Sequence, residues 1–313
     1  MKFVSFSTHE LPEPHLGLVR DDEVLDIDLA GQALSLKVPD QMLTLIEHYE
    51  QYQPALQAIL AKVGNRRLTQ VRTYSDIGAA HALSEVQLTA PIPRPRKNVF
   101  CLAVNYREHA QETAHVRGHS GQAPEIPVFF TKAPTTINAP YGEIVIDPAV
   151  STEIDWEVEL AVILGKSGKN IREEDALSYV FGYSVLNDIT ARDLQARHKQ
   201  FFKGKSLDGS CPMGPWIITA DEIPDPHNLA LSLRVNGETK QDSRTSLMIF
   251  SINKAISVLS QGMTLEAGDI IATGTPSGVG FSRTPPEFLK PGDVVEAEVE
   301  GVGLIRNRVV SVD

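Results

Sequence analysis

The sequence predicts an α+β fold that is mostly β: a small α+β domain over residues 1–90, then a larger β domain over 91–313 built as a barrel or as rolled sheets. Three observations carry this. From residue 144 onward the apolar segments are short and β-branched, as in IVI, VELAVIL, YVFGYSVL, WIIT, LALSLRVNG and GDIIATG, which is strand composition. Only two helical patterns, around residues 173–180 and 251–261, interrupt them, so the alternation of a doubly wound parallel sheet is absent. The prolines of PIPRPRK at 91–97 lack backbone donors and push their predecessors to extended conformations, which marks a linker.

In order along the chain, residues 2–6 alternate like a strand, and LGLVRDDEVLDI reads as a hairpin turning at Asp21 and Asp22. Residues 39–64 show helical spacing in Met42, Leu45 and Ile46 and again in Leu56, Ile59 and Leu60, with a break expected near Pro54. After the linker, NVFCLAVNY (98–106) reads as a buried strand. REHAQETAHVRGHSGQAPEIP (107–127) reads as a polar, mobile loop or lid that makes no core element. PVFFTKAP (127–134) is a second strand, with Lys132 near its end.

Composition narrows the function. The chain has 313 residues, 42% of them hydrophobic, enough for a large core. A formal net charge of -11, with no long basic run, argues against nucleic acid and anionic lipid as partners. No apolar run approaches the roughly 18 residues of a membrane span, and the N-terminus lacks a secretory layout. Two cysteines, Cys101 and Cys211, make no disulfide framework and fit buried thiols in a reduced, cytoplasmic setting.

The chemistry concentrates between residues 151 and 214. In TEIDWEVELAVILG, period two puts Trp156, Val158, Leu160, Val162 and Leu164 on one strand face and Glu157, Glu159, Ala161 and Ile163 on the other. An isolated E-x-E also fits a solvated strand. Here Ala161 and Ile163 continue the acidic face with apolar groups, and two buried neighbouring anions call for a cation. Asp188 ends the apolar run of GYSVLND and adds a third acid, while Thr190 is placed to cap the helix after it; simple capping is the other reading of Asp188. Three carboxylates without His or Cys are a hard-oxygen set suited to Mg²⁺ or Mn²⁺. Arg192 and Gln195, three apart, share a helix face able to grip a carboxylate, and Lys205 adds a point charge; a salt-bridged surface helix is the bland alternative. TGTPSGVG (273–280) lacks a P-loop ending, yet its backbone donors and the Thr275 hydroxyl suit a substrate carboxylate as well as a plain turn does. His109 and Glu112 stand at i and i+3 in NYREHAQE, where one turn of helix would let Glu112 orient His109 as a general base. His115, His119 and His198 read as solvated.

Together NYREHAQE, DWEVELAVILG, GYSVLNDITARDLQ, FFKGKSLDGSCPMGP, VNGE with a later MIFS, and TLEAGDIIATGTPSGVG resemble the fumarylacetoacetate hydrolase family over most of residues 98–310. The resemblance implies a mixed β-roll catalytic domain, usually in a homodimer, with Mg²⁺ or Mn²⁺ on Glu157, Glu159 and Asp188. It also implies a lid carrying His109 and Glu112, and substrate contacts at Arg192, Gln195, Lys205 and Thr275, with Lys132 near the site. The implied activity is cleavage of a C–C bond in a 2-oxo acid through an enolate, releasing pyruvate, as in acylpyruvate hydrolases or oxaloacetate decarboxylases. Isomerisation or decarboxylation of unsaturated dicarboxylic acids and non-catalytic metabolite binding are the alternatives. The catalytic His motif of the large eukaryotic-type hydrolases is absent, which points away from fumarylacetoacetate as the substrate.

Overall fold

A computed structural model describes residues 1–63, 74–117 and 121–312. Two sheets dominate the described residues. The larger has 12 strands and runs unbroken from the N-terminal unit into the rest: Lys2–Ser7 pairs with Cys211–Thr219 on one side and with His15–Arg20 on the other. Beyond Cys211–Thr219 come Val180–Asn187, Val158–Leu164, Ile270–Ala272, Val99–Leu102 and Phe129–Lys132. The second sheet has five strands, ordered Glu238–Arg244, Ala230–Val235, Val294–Val299, Gly303–Ser311 and Ile144–Ile146. Both sheets have free edges, so the β-roll is open and not a closed barrel.

Every residue of Val158–Leu164 is buried because the large sheet is covered on both faces. Val158, Leu160, Val162 and Leu164 enter one core together with Leu231, Leu233, Val295 and Ile305 of the second sheet. Ala161 and Ile163 enter another, with Phe3, Leu45, Ile46 and Leu56. The alternation expected of this strand therefore separates two cores, and residues 1–90 share sheet and core with residues 158–217.

The hairpin turns where expected: Arg20 pairs with Glu23 across Asp21 and Asp22, and Asp21 takes a φ of 51°. Several local expectations need correction. The break in residues 39–64 falls at His48, between helices Met42–Glu47 and Tyr49–Val63, and Pro54 lies inside the second helix. Residues 173–179 wind as a 3₁₀ helix, Glu173–Tyr179. Residues 107–117 are not loop but helix, Arg107–Arg117. This helix has few apolar side chains; it buries Ala110 together with two polar residues, His109 and Thr113. Their polar atoms are satisfied locally, since the Thr113 hydroxyl donates to the His109 carbonyl at 2.8 Å. Thr190 caps no helix: its hydroxyl donates back to the Asp188 carbonyl at 2.9 Å, and Ala191 is the residue before helix Arg192–His198. His119 and the side chain of His115 lie outside the described residues.

Candidate metal centre and lid

The acids are brought together by strand pairing. Val158 is in register with Asn187, so the residues just beyond the pair, Glu157 and Asp188, lie side by side, and the Asp188 amide donates to the Glu157 carbonyl at 2.8 Å. Glu159, two residues along, points the same way as Glu157. Across the next strand the chain leaves Ala272 into the 273–280 loop, whose Gly274 amide donates to Glu159 Oε2 at 2.6 Å. One oxygen from each of Glu157, Glu159 and Asp188 falls within 4.8 Å of the others, and all three residues are buried.

Basic side chains close around this cluster. Lys205, at the end of helix Phe202–Lys205, donates to Glu157 Oε2 and Asp188 Oδ2, each at 2.7 Å. Lys132 is fully enclosed and donates to Asp188 Oδ1 at 2.8 Å, to the Ile189 carbonyl and to Ser210 Oγ. Arg192 donates through Nε to Asp155 Oδ2 at 2.8 Å, through one terminal nitrogen to Glu157 Oε1 at 2.7 Å and through the other to Gln195 Oε1 at 3.2 Å. Arg192 and Gln195 do share a helix face, and their contact is with each other. In this structure the three cations hold the acids in place.

Glu157 and Glu159 respond in opposite directions. Burial alone would raise the Glu157 carboxyl, but Lys205 and Arg192 outweigh it and hold the group well below the usual carboxylate range. At Glu159 burial comes first, the charges of Asp188 and Glu157 add to it, and the carboxyl is pushed well up. Four acids, Asp155, Glu157, Glu159 and Asp188, face three bases, Lys132, Arg192 and Lys205, and with all four ionised, as a cation on Glu159 requires, one negative charge is in excess. A divalent cation on the three oxygen donors would reverse that to one positive charge, and a substrate monocarboxylate would neutralise it. The hard, all-oxygen donor set therefore fits Mg²⁺ or Mn²⁺. The cysteines add no ligand: burial pushes the Cys101 thiol far up and the Cys211 thiol to about 12.

The lid helix contributes the His109–Glu112 pair, with His109 Nδ1 2.8 Å from Glu112 Oε1. Glu112 Oε2 accepts from the Gly278 amide at 2.9 Å and from Ser282 Oγ at 3.1 Å, which ties the lid to the same loop that supplies Gly274. Thr275 faces inward, its hydroxyl accepting from Gln241 Nε2 at 2.8 Å.

The profile described as Fumarylacetoacetate (FAA) hydrolase C-terminal matches residues 98–310, and those residues contain every group just described. The chain belongs to the fumarylacetoacetate hydrolase family. Among its relatives in that family, "Oxaloacetate tautomerase YisK" of Bacillus subtilis (strain 168) is 44% identical over 98% of this chain and 100% of its own. Two solved structures of the same fold cover 100% of both chains. One, "a putative HpcE protein from Mycobacterium smegmatis", has a TM-score of 0.82 at 36% identity. The other is maleylpyruvate hydrolase from Sphingobium sp. SYK-6 in complex with manganese (II) ion and pyruvate, with a TM-score of 0.76 at 32% identity.

The sequence reading missed two residues of this family site. Asp155, fully buried, accepts from Arg192 and from the Gly280 and Phe281 amides. Its signal was available, because 155, 157 and 159 follow the same period of two. Gln241 joins Val158 to Thr275 and gave no signal, since a lone Gln in a polar strand has no pattern.

Proposed function

We propose that this chain converts a 2-oxo acid carrying an acidic C3 position into its enolate and reprotonates it, with oxaloacetate the first substrate and keto–enol interconversion the first reaction to test. One observation carries the reading: His109 and Glu112 sit on a lid tied by Glu112 to the loop that also bonds Glu159 of the acid cluster. The carboxylate Glu112 Oε1 faces His109 Nδ1, which fixes that nitrogen as the donor and leaves Nε2 with a lone pair. Nε2 is then the base that removes the C3 proton, and it returns the proton when the product forms. The electron pair of the broken C–H bond moves to the C2–C3 bond and the C2 carbonyl oxygen. Glu157, Glu159 and Asp188 would hold a divalent ion, which when bound would supply Lewis-acid stabilisation of that oxygen charge. Lys132, Lys205 and Arg192 orient the carboxylates, and the lid excludes bulk water.

The relatives named oxaloacetate tautomerases support this order of testing. A second reading, C–C cleavage with release of pyruvate, is supported by the likeness to maleylpyruvate hydrolase holding manganese and pyruvate. There His109 activates water toward the distal carbonyl, and Thr275 with the 273–280 loop fixes the substrate carboxylate. A homodimer in a cytoplasmic setting belongs to the same proposal on the family resemblance; a sedimentation mass of a single chain would overturn the dimer.

The test follows oxaloacetate enolisation by ultraviolet absorbance and pyruvate release from acetylpyruvate, with Mn²⁺ and with EDTA. Acceleration that EDTA abolishes supports the proposal; no acceleration of either substrate refutes it. His109→Ala should slow both reactions, because Nε2 is the base in one and activates water in the other; a reaction that kept its rate would remove His109 from that reading.

A further inference from the structure

Beside the acid cluster lies a cavity of about 880 Å³. Val104 and Ala110 line it from the lid side, Val128 from just before strand Phe129–Lys132, and the rings of Phe201, Phe281 and Phe288 complete its wall. Arg192 and Gln195 line the same cavity. It adjoins the site, because Arg192, whose guanidinium is bonded to Asp155 and Glu157, is one of its wall residues, with the Phe281 ring 4.2 Å from Arg192 Cζ. Ala110 directly follows His109, so the cavity opens beside the proposed base.

Two features decide what it accepts. The first is size: about 880 Å³ lies within the roughly 300–1,000 Å³ that take a ligand well beyond a small keto acid. The second is charge. Arg192 already faces two carboxylates, and the other charged residues on the wall, Glu153 and Lys199, are of opposite sign. The wall thus presents no surplus cation for a second acid group, while its aliphatic and ring surfaces favour an apolar guest.

We infer that the 2-oxo acid turned over here carries an apolar, arene-sized group on the side remote from its carboxylate, seated between the lid and Phe201, Phe281 and Phe288. This rests on the reading of the acid cluster as a 2-oxo-acid site and adds the class of substituent. Oxaloacetate would then be a minimal substrate that leaves the cavity unfilled.

Three unreactive probes test it by calorimetric titration of the full-length, Mn²⁺-loaded protein: oxamate, N-phenyloxamate and N-oxalylglycine, which carry no tail, an apolar ring and a carboxylate. N-phenyloxamate is expected to bind about tenfold to a hundredfold more tightly than oxamate, the gain from burying one ring, and N-oxalylglycine no more tightly than oxamate. Phe288→Ala should cut the phenyl advantage about fivefold or more while leaving oxamate unchanged. Val128 is 49% exposed, so Val128→Asp keeps the core intact and should act the same way. Equal affinities for oxamate and N-phenyloxamate, or tightest binding of N-oxalylglycine, would overturn the inference while the 2-oxo-acid site stood. Failure of all three to bind would remove that site reading and this inference with it.

Discussion

On the floor of the site, Glu157, Glu159 and Asp188 stand at strands whose residues are all buried, Val158–Leu164 and Val180–Asn187, whereas His109 and Glu112 ride on a helix whose outer residues Arg107, Glu108 and Gln111 are exposed. The floor is fixed by main-chain ladders and by three enclosed cations. The lid is fixed by a few side-chain bonds, chiefly Glu112 to Gly278 and Ser282, with Glu108 to Ser277 outside them. Groups that must be held desolvated against their own repulsion are thus placed where strand pairing leaves them no freedom. The pair to which we assign the proton transfer sits instead on an element with an exposed outer face, held to the 273–280 loop and Ser282 by side-chain bonds. Damage to the floor should cost stability, cation affinity and rate together; damage to the lid should cost chiefly rate and leave cation affinity intact.

The largest expected effect breaks the floor. Asp188→Ala strips Lys132 and Lys205 of a buried partner, so about 3–5 kcal/mol of stability should be lost, along with the rise in melting temperature expected when Mn²⁺ is added to the native chain. A melt that still rises normally with Mn²⁺ would show the cation bound elsewhere. Next comes His109→Ala, which should lower turnover by about 10²–10⁴-fold with Mn²⁺ affinity unchanged and a loss of stability well below that of Asp188→Ala. If it also abolished Mn²⁺ binding, floor and lid would not be separable as described. Glu112→Gln keeps the shape but weakens orientation of His109; a loss of about tenfold in kcat is expected, smaller than for His109→Ala, read by steady-state kinetics.

The smallest effect sharpens the contrast inside the floor and is read on chelator-treated protein. The Glu159 carboxyl is raised when folded, so its contribution to stability is full below the unfolded value near 4.5 and is lost as pH rises through the folded value. The Glu157 carboxyl is lowered, so its contribution is present above about 4.5 and is lost as pH falls through the folded value. Glu159→Gln should flatten the decline of stability above pH 4.5, and Glu157→Gln the decline below it, in denaturant titrations across pH. Identical profiles for the two variants would contradict the opposite environments assigned to them.

Much of this was legible in the residues. The strand composition after residue 144 foretold the sheets, and the alternation in DWEVELAVIL placed Glu157 and Glu159 with Ala161 and Ile163, which do enter a core apart from that of Val158 and Leu160. The His109–Glu112 spacing anticipates a real contact, although the composition of 107–127 points to loop where the chain is helix. Hydrophobic periodicity does not detect a helix whose inward face is partly polar and satisfied by its own bonds.

By itself the sequence determined which groups are present and which face each takes, because periodicity is a local property of the backbone. Only the tertiary structure decided who neutralises whom. Lys132 meets Asp188 across 56 residues and Arg192 meets Asp155 across 37, and no local pattern encodes such a pairing. That juxtaposition makes Glu157 a firm carboxylate and Glu159 a reluctant one, bonds Arg192, the expected substrate clamp, to Asp155 and Glu157, and places the apolar cavity beside it.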